Sequence, residues 1–337
     1  MTFHRTTAML ASLGLTAFGL AACGGEESAD ASPDNPVTIN VTVSNATEPY
    51  VIPWLVAQDQ GFFEKRGVIV DEIVPSKGGS TTVRNMLSGD LPIAEAGFTS
   101  VLESQEAGAP IAVVGGATRS VYGLDFYALA SNEEVQTIED IGVWAYTNPE
   151  SVTQALTYML PDAAGVDGDV ERTASGGIGE GIALLESGDV DAAVVPPSVV
   201  GRNPDSFREV VSSADYIESF QQSVITATPE YVESHPGVIE AITGGYQDAV
   251  EWIAENPADA GALYADYSDV DPGIATQIVE SAMSHNNWSA GLDADALETA
   301  VEAMRIAGFE GGSEYCNLFD LDHLPEGTSA ELPAECD

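Results

Sequence analysis

Apolar and polar residues alternate from Val37 to Val43 (VTINVTV), the period-2 signature of a strand. A polar loop from Ser44 to Ile52 follows, carrying Pro49 and Tyr50. Pro53 to Gln60 then reads as a short helix, with proline at its start and Gly61 just past its end. The same strand, loop, helix rhythm continues. Strands are predicted at Val68–Val74, Leu91–Ala96, Ile111–Val114 and Leu124–Ala130, with helices at Ser80–Leu87 and, following Gly97-Phe98-Thr99-Ser100, up to Gln105. A second series begins at Ile141–Ala145. Its first helix opens at Asn148-Pro149-Glu150-Ser151, and strands follow at Val170–Thr173, Val190–Val195 and Val224–Ala227. A glycine-rich segment, Ser175 to Gly181, leads the helix that ends near Glu186. From Thr228 the pattern is helical, with an apolar stripe through Val238, Ile242, Tyr246, Ala249 and Ile253. Strands alternating with helices predict an α/β fold with mostly parallel sheets.

The first 23 residues break this rhythm. His4 and Arg5 precede an apolar run from Ala8 to Leu20, which is shorter than the ~20 residues a bilayer span takes. It ends in Leu20-Ala21-Ala22-Cys23, which resembles the bacterial lipobox. That resemblance implies a lipoprotein signal peptide over residues 1–22, cleavage before Cys23 and acylation of its thiol. Residues 23–36 then form a flexible polar tether. The expected location is extracytoplasmic, lipid-anchored to the outer face of the bacterial cell membrane, or periplasmic.

Charge narrows the partners. Ten Lys+Arg stand against 54 Asp+Glu, a formal net charge of -44. Such a field repels nucleic acid and anionic surfaces, and no nucleic-acid partner is expected. The acids are spread along the chain as a solvated face. Besides Cys23, the cysteines are Cys316 and Cys336, which in an oxidising compartment form a disulfide or stay as two free thiols. His4, His235, His285 and His323 lack zinc spacing, so no metal and no cofactor is expected.

Three stretches resemble one family: the substrate-binding lipoproteins of ABC importers of the nitrate/sulfonate/taurine and thiamine-pyrimidine type. They are Ile52 to Gly67 (IPWLVAQDQGFFEKRG), Ala183 to Ala192 (ALLESGDVDA) and Thr228 to Pro236 (TPEYVESHP), in that order. The resemblance implies a two-lobed periplasmic-binding-protein type II fold with two crossover strands and extra C-terminal helices packed on lobe one. Lobe one would comprise residues 37–126 and 228–309, lobe two 127–221 and the return crossover 222–227, with a tail over 310–337. The first crossing would be Leu124–Ala130. Val195-Pro196-Pro197 departs from the family, which often carries an acid before its proline. The implied function is that of a monomeric receptor that closes on a small organic ligand, such as a sulfonate or carboxylate, and delivers it to ABC permease subunits.

In open α/β sheets ligands lie beyond the carboxyl ends of the strands. The candidate ligand-binding residues in those loops are Asn45 and Tyr50; Ser80 and Thr81; Phe98 and Thr99; Arg119 and Tyr122; Tyr146, Asn148 and Ser151; and Ser175. Helix starts at Ser80, Thr99, Ser151 and Gly179 would present free N–H groups to an anion, although each serine or threonine also suits ordinary capping. The Arg119 guanidinium suits a carboxylate or sulfonate; pairing with a neighbouring acid is its alternative. The four aromatics could stack on a planar ligand or pack in the core.

Enzyme signatures are weak. Gly176 to Gly181 lacks G-x-G-x-x-G spacing and a P-loop lysine, and no G-x-S-x-G elbow occurs. No catalytic residues are assigned. The alternative function is a secreted enzyme on the same fold, related to thiamine-pyrimidine synthesis.

Overall fold

The computed structural model describes residues 31–45, 47–166, 170–308 and 313–336. Cys23 and the signal-peptide segment lie outside the described residues. Two sheets dominate. In the first, β1 (Val37–Val43) pairs in parallel with β2 (Val68–Pro75) and β3 (Ile93–Gly97), while β10 (Ser223–Ala227) runs antiparallel between β3 and β4 (Ala112–Gly116). The order is β2-β1-β3-β10-β4. In the second half, β6 (Val143–Tyr146) pairs in parallel with β7 (Glu171–Ala174), and β5 (Phe126–Leu129) runs antiparallel between β8 (Ala193–Val194) and β9 (Phe207–Val211). A bridge between Trp144 and Ala192 joins these two pieces. The resulting order, β7-β6-β8-β5-β9, repeats that of the first sheet, with β5 in the place of β10. Each lobe thus receives one strand that arrives from the other.

The connecting segments run side by side. The amides of Gln222 and Ser223 donate to the Thr118 carbonyl at 2.9 and 3.1 Å, and Ser213 N–H donates to Asp125 Oδ1 at 2.8 Å. Both crossings are therefore stitched together by backbone and short side-chain bonds, the arrangement of a two-strand hinge. The first crossing lies between β4 and β5, and the segment expected to cross, Leu124–Ala130, mostly forms β5 in the second sheet.

The first sheet is covered on both faces. On one side pack α1 (Ile52–Asp59), α9 (Pro236–Glu255), α10 (Pro257–Ser268) and α11 (Pro272–Ser284), through Trp54, Ile239, Ile242, Tyr246 and Tyr264. On the other pack α2 (Gly79–Leu87), α3 (Phe98–Glu106) and α12 (Ala294–Ile306), through Val83, Met86, Val101, Leu297 and Val301. That second core continues into the other lobe through Leu124, Phe126, Trp144 and Leu156, because α4 (Val152–Ala164) packs on α3 and α12. The remaining helices are α5 (Ile178–Ser187), α6 (Pro197–Arg202), α7 (Ser213–Tyr216) and α8 (Pro229–Ser234). No helix among the described residues is long and apolar enough to cross a membrane.

Two local features differ from the sequence reading. The helix expected to open at Asn148 starts instead at Val152, with Ser151 as the capping residue that accepts from Gln154 N–H at 3.2 Å. β9 was not predicted. After residue 312 the tail returns to the first sheet. Phe319 bridges to Val113 beside β4, Asp320 N–H donates to the Val113 carbonyl at 2.9 Å, and Cys316 is disulfide-bonded to Cys336 with Cα atoms 5.1 Å apart.

Candidate functional site

A cavity of about 50 Å³ lies between the lobes, enough for a few waters or a compact group. Its first wall is the loop after β1, with Ser44, Asn45, Glu48 and Tyr50, and the start of α2, with Gly78 and Gly79. Its second wall is the start of α4, with Thr147, Ser151, Val152 and Thr153, and Ile178 at the start of α5. Gln222 and Ser223 of the return crossing close the back, and Glu95 of β3 lies beneath. The helix starts follow from the fold: each strand ends at this edge and the next helix begins there.

The lobes touch across this cavity. Lys77 Nζ pairs with Glu180 Oε1 at 2.6 Å, and Asn148 Nδ2 donates to the Lys77 carbonyl at 2.7 Å. Ser100 Oγ donates to the Glu150 carbonyl at 3.2 Å. The Thr47 carbonyl is held from both sides, by Ser198 Oγ at 3.0 Å and the Tyr264 hydroxyl at 2.8 Å. These contacts describe a closed arrangement. Close approach also explains Gly78: its φ is +114°, and a Cβ there would stand 2.7 Å from Asn148 Nδ2.

Two buried glutamates set the electrostatics. Glu95 accepts from Ser223 Oγ at 2.5 Å, from Thr118 Oγ1 at 3.2 Å and from the Trp54 indole N–H. Burial nevertheless pushes its carboxyl up to about 7 against those three donors. Glu48 has one long contact, from Gln222 Nε2 at 3.4 Å. Burial, followed by the charge of Glu95, raises its carboxyl to about 8. The Gln222 Oε1 and Tyr50 hydroxyl atoms are buried without a hydrogen-bond partner.

The candidate residues separate into groups. Asn45, Tyr50 and Ser151 line the cavity. Asn45 Oδ1 also accepts from Thr47 N–H at 2.9 Å, which shapes the loop. Tyr146 and Ser175 line a smaller hollow of about 10 Å³ beside it. Asn148 is the interlobe donor described above. Ser80 and Thr81 sit on the first turn of α2, half-buried, and Thr81 Oγ1 accepts from Arg84 at 2.9 Å.

Four other candidates, Phe98, Thr99, Arg119 and Tyr122, do not line this cavity. Phe98 and Thr99 are buried in the first turn of α3, where Phe98 packs 6.3 Å from Phe319. Arg119 and Tyr122 point away from the cavity. In the extended crossing, Thr118 reaches forward to Glu95, so the next side chain points backward. Arg119 Nε accordingly donates to the Asn286 carbonyl at 3.0 Å in a separate surface recess. Tyr122 stacks on His285 with ring centroids 5.1 Å apart. Sequence reasoning missed Glu48, Glu95 and Gln222. The signal available for Glu95 was a lone acid inside an otherwise apolar predicted strand.

The likeness to known proteins fits this geometry. No curated protein matches the chain in sequence. Among solved structures, the alkanesulfonate-binding protein SsuA from Xanthomonas axonopodis pv. citri, bound to MOPS, superposes with a TM-score of 0.63 at 16% identity, covering 79% of this chain and 90% of its own. A Candida albicans gene product described as having the generic periplasmic binding protein structural fold gives 0.68 at 13% identity, covering 89% and 100%. The periplasmic nitrate-binding protein NrtA from Synechocystis PCC 6803 gives 0.58 at 12% identity, covering 71% and 69%. The fold is that of the periplasmic binding proteins. The family model described as "NMT1/THI5 like" matches residues 48–260, more than half of the chain, and the protein belongs to that family.

Proposed function

We propose that the protein is the extracytoplasmic solute-binding receptor of an ABC importer, a monomer that captures a small organic ligand between its lobes and presents it to permease subunits. The observation that carries this reading is the interlobe cavity, lined from both lobes and the hinge and closed over by Asn148 and Lys77. The family and the fold support it. A ligand touching both lobes favours the closed population by its differential affinity for that state. The Leu20-Ala21-Ala22-Cys23 segment supports anchoring through an acylated Cys23 on the outer face of the membrane. The role is that of binding without turnover.

Small-angle scattering on the purified protein tests the reading. The expected result is contraction on adding the ligand, together with a raised melting temperature by linkage and recovery of the ligand chemically unchanged. A ligand returned as product would overturn it, as would binding that leaves the scattering profile of an open protein unaltered.

A further inference from the structure

The charged side chains of the cleft do not match an anion. Three line it: Glu48, Lys77 and Glu95. Lys77 is already neutralised by Glu180. Glu95 is occupied by three donors from Trp54, Thr118 and Ser223. Glu48 stands apart. The Glu48 carboxyl makes a single side-chain contact, a bond of 3.4 Å from Gln222 Nε2, and leaves its remaining acceptor capacity unused. Beside it Gln222 Oε1, on a side chain only 6% exposed, is a second acceptor with no donor. Buried acceptors left unmatched cost stability, so their convergence on a cavity marks a place that a ligand completes. The loop that carries Glu48 is held within its own lobe, because the Tyr264 hydroxyl donates to the preceding carbonyl, that of Thr47, at 2.8 Å.

Resting on the receptor reading above, we infer that the ligand carries a cationic nitrogen with N–H donors, an ammonium, amidinium or guanidinium group, which Glu48 and the Gln222 carbonyl oxygen receive. The start of α2, on the same wall as Glu48, and the start of α4, on the other wall, also line the cavity and can receive an acid oxygen of the same molecule, so a zwitterion satisfies the site as a simple cation does. An acid with no N–H donor leaves Gln222 Oε1 unmatched and gives the Glu48 carboxyl no counter-charge. Burial and Glu95 keep the empty Glu48 protonated near neutral pH, and the arriving cation displaces that proton into solvent.

Thermal shift and calorimetry with the purified protein test this, using methylguanidine, benzamidine, putrescine and 4-aminobutanoate against methanesulfonate and benzoate, all at saturating millimolar concentrations. One or more of the nitrogen probes is expected to raise the melting temperature, and the two acids are expected to leave it unchanged. Glu48→Gln, which keeps shape and neutrality but cannot ionise, should weaken the nitrogen probe at least tenfold; Gln222→Leu should weaken it several-fold. Circular dichroism confirms that both variants are folded. Unchanged affinity in folded Glu48→Gln overturns the inference. Stabilisation by methanesulfonate or benzoate alone also overturns it, while leaving the receptor reading intact. Failure of every probe of either charge to stabilise the protein or contract its scattering profile overturns both.

Discussion

The Trp54 indole N–H donates to Glu95 Oε2 beneath the cleft, so a residue of the first helix holds a carboxylate of the third strand. Trp54 is fully buried and packs edge-on to Tyr246 at 5.5 Å. Trp54→Phe keeps most of that packing and removes the donor. It is expected to destabilise the protein by about 1–3 kcal/mol, the cost of an under-satisfied buried acceptor, measured by denaturant unfolding. It should also raise the Glu95 carboxyl further above its present value near 7.

The buried acids predict the pH dependence of stability. Glu48 titrates near 8 when folded and near 4.5 as a free side chain, and Glu95 and Asp125 titrate near 7. Between roughly pH 4.5 and 8 the folded state holds protons that the unfolded chain has released. This stabilisation is therefore fully present at the acid end of that window and is lost as pH rises through 7 and 8. The groups around Glu48 are Glu95, Tyr50, Tyr264 and Gln222, and none of them is a cation. The melting temperature of the empty protein should fall from pH 5 to pH 8.5, and Glu48→Gln should flatten the upper part of that curve.

The interlobe latch rests on Asn148. Its bond to the Lys77 carbonyl is worth about 1 kcal/mol, and the exposed Lys77–Glu180 pair adds less. Asn148→Ala should leave unfolding midpoints almost unchanged, expand the ligand-free scattering profile and weaken ligand binding several-fold. Gly78→Ala should do more, because the added methyl meets Asn148 Nδ2 and the backbone sits at positive φ.

The Cys316–Cys336 bond closes a loop of 20 residues by sequence separation. Replacing both by serine should cost roughly 3 kcal/mol by loop entropy. Thermal unfolding of the double variant checks this, with the wild type in reductant as a second arm.

Most of the fold was legible because burial and period coincide in it. β1 alternates, and α9 carries a continuous apolar stripe, so each announces itself locally. β9 did not, since Arg208 and Glu209 interrupt FREVV and the pairing with β5 that stabilises it is distant in sequence. The cleft was legible as a set of loops and obscure in its chemistry. Glu48 is one of 54 acids, and nothing near it in sequence says that Ser198 and Tyr264 will bury its loop. The place of Arg119 outside this cavity was not legible, because a loop position does not announce its facing: in an extended crossing, one residue of register decides front from back, and Thr118 holds the front.

The tail that returns to β4 bears on how copies of the molecule coexist. β4 is the last strand of its sheet, and an uncovered last strand invites another chain to add itself. Phe319 and Asp320 occupy that position at Val113, and the Cys316–Cys336 link keeps them from drifting away. At the opposite margin β2 presents exposed Asp71 and Glu72. One margin is sealed by the chain's own end and the other is made repellent by charge. Both margins of this sheet are thus guarded against pairing with a strand of another chain.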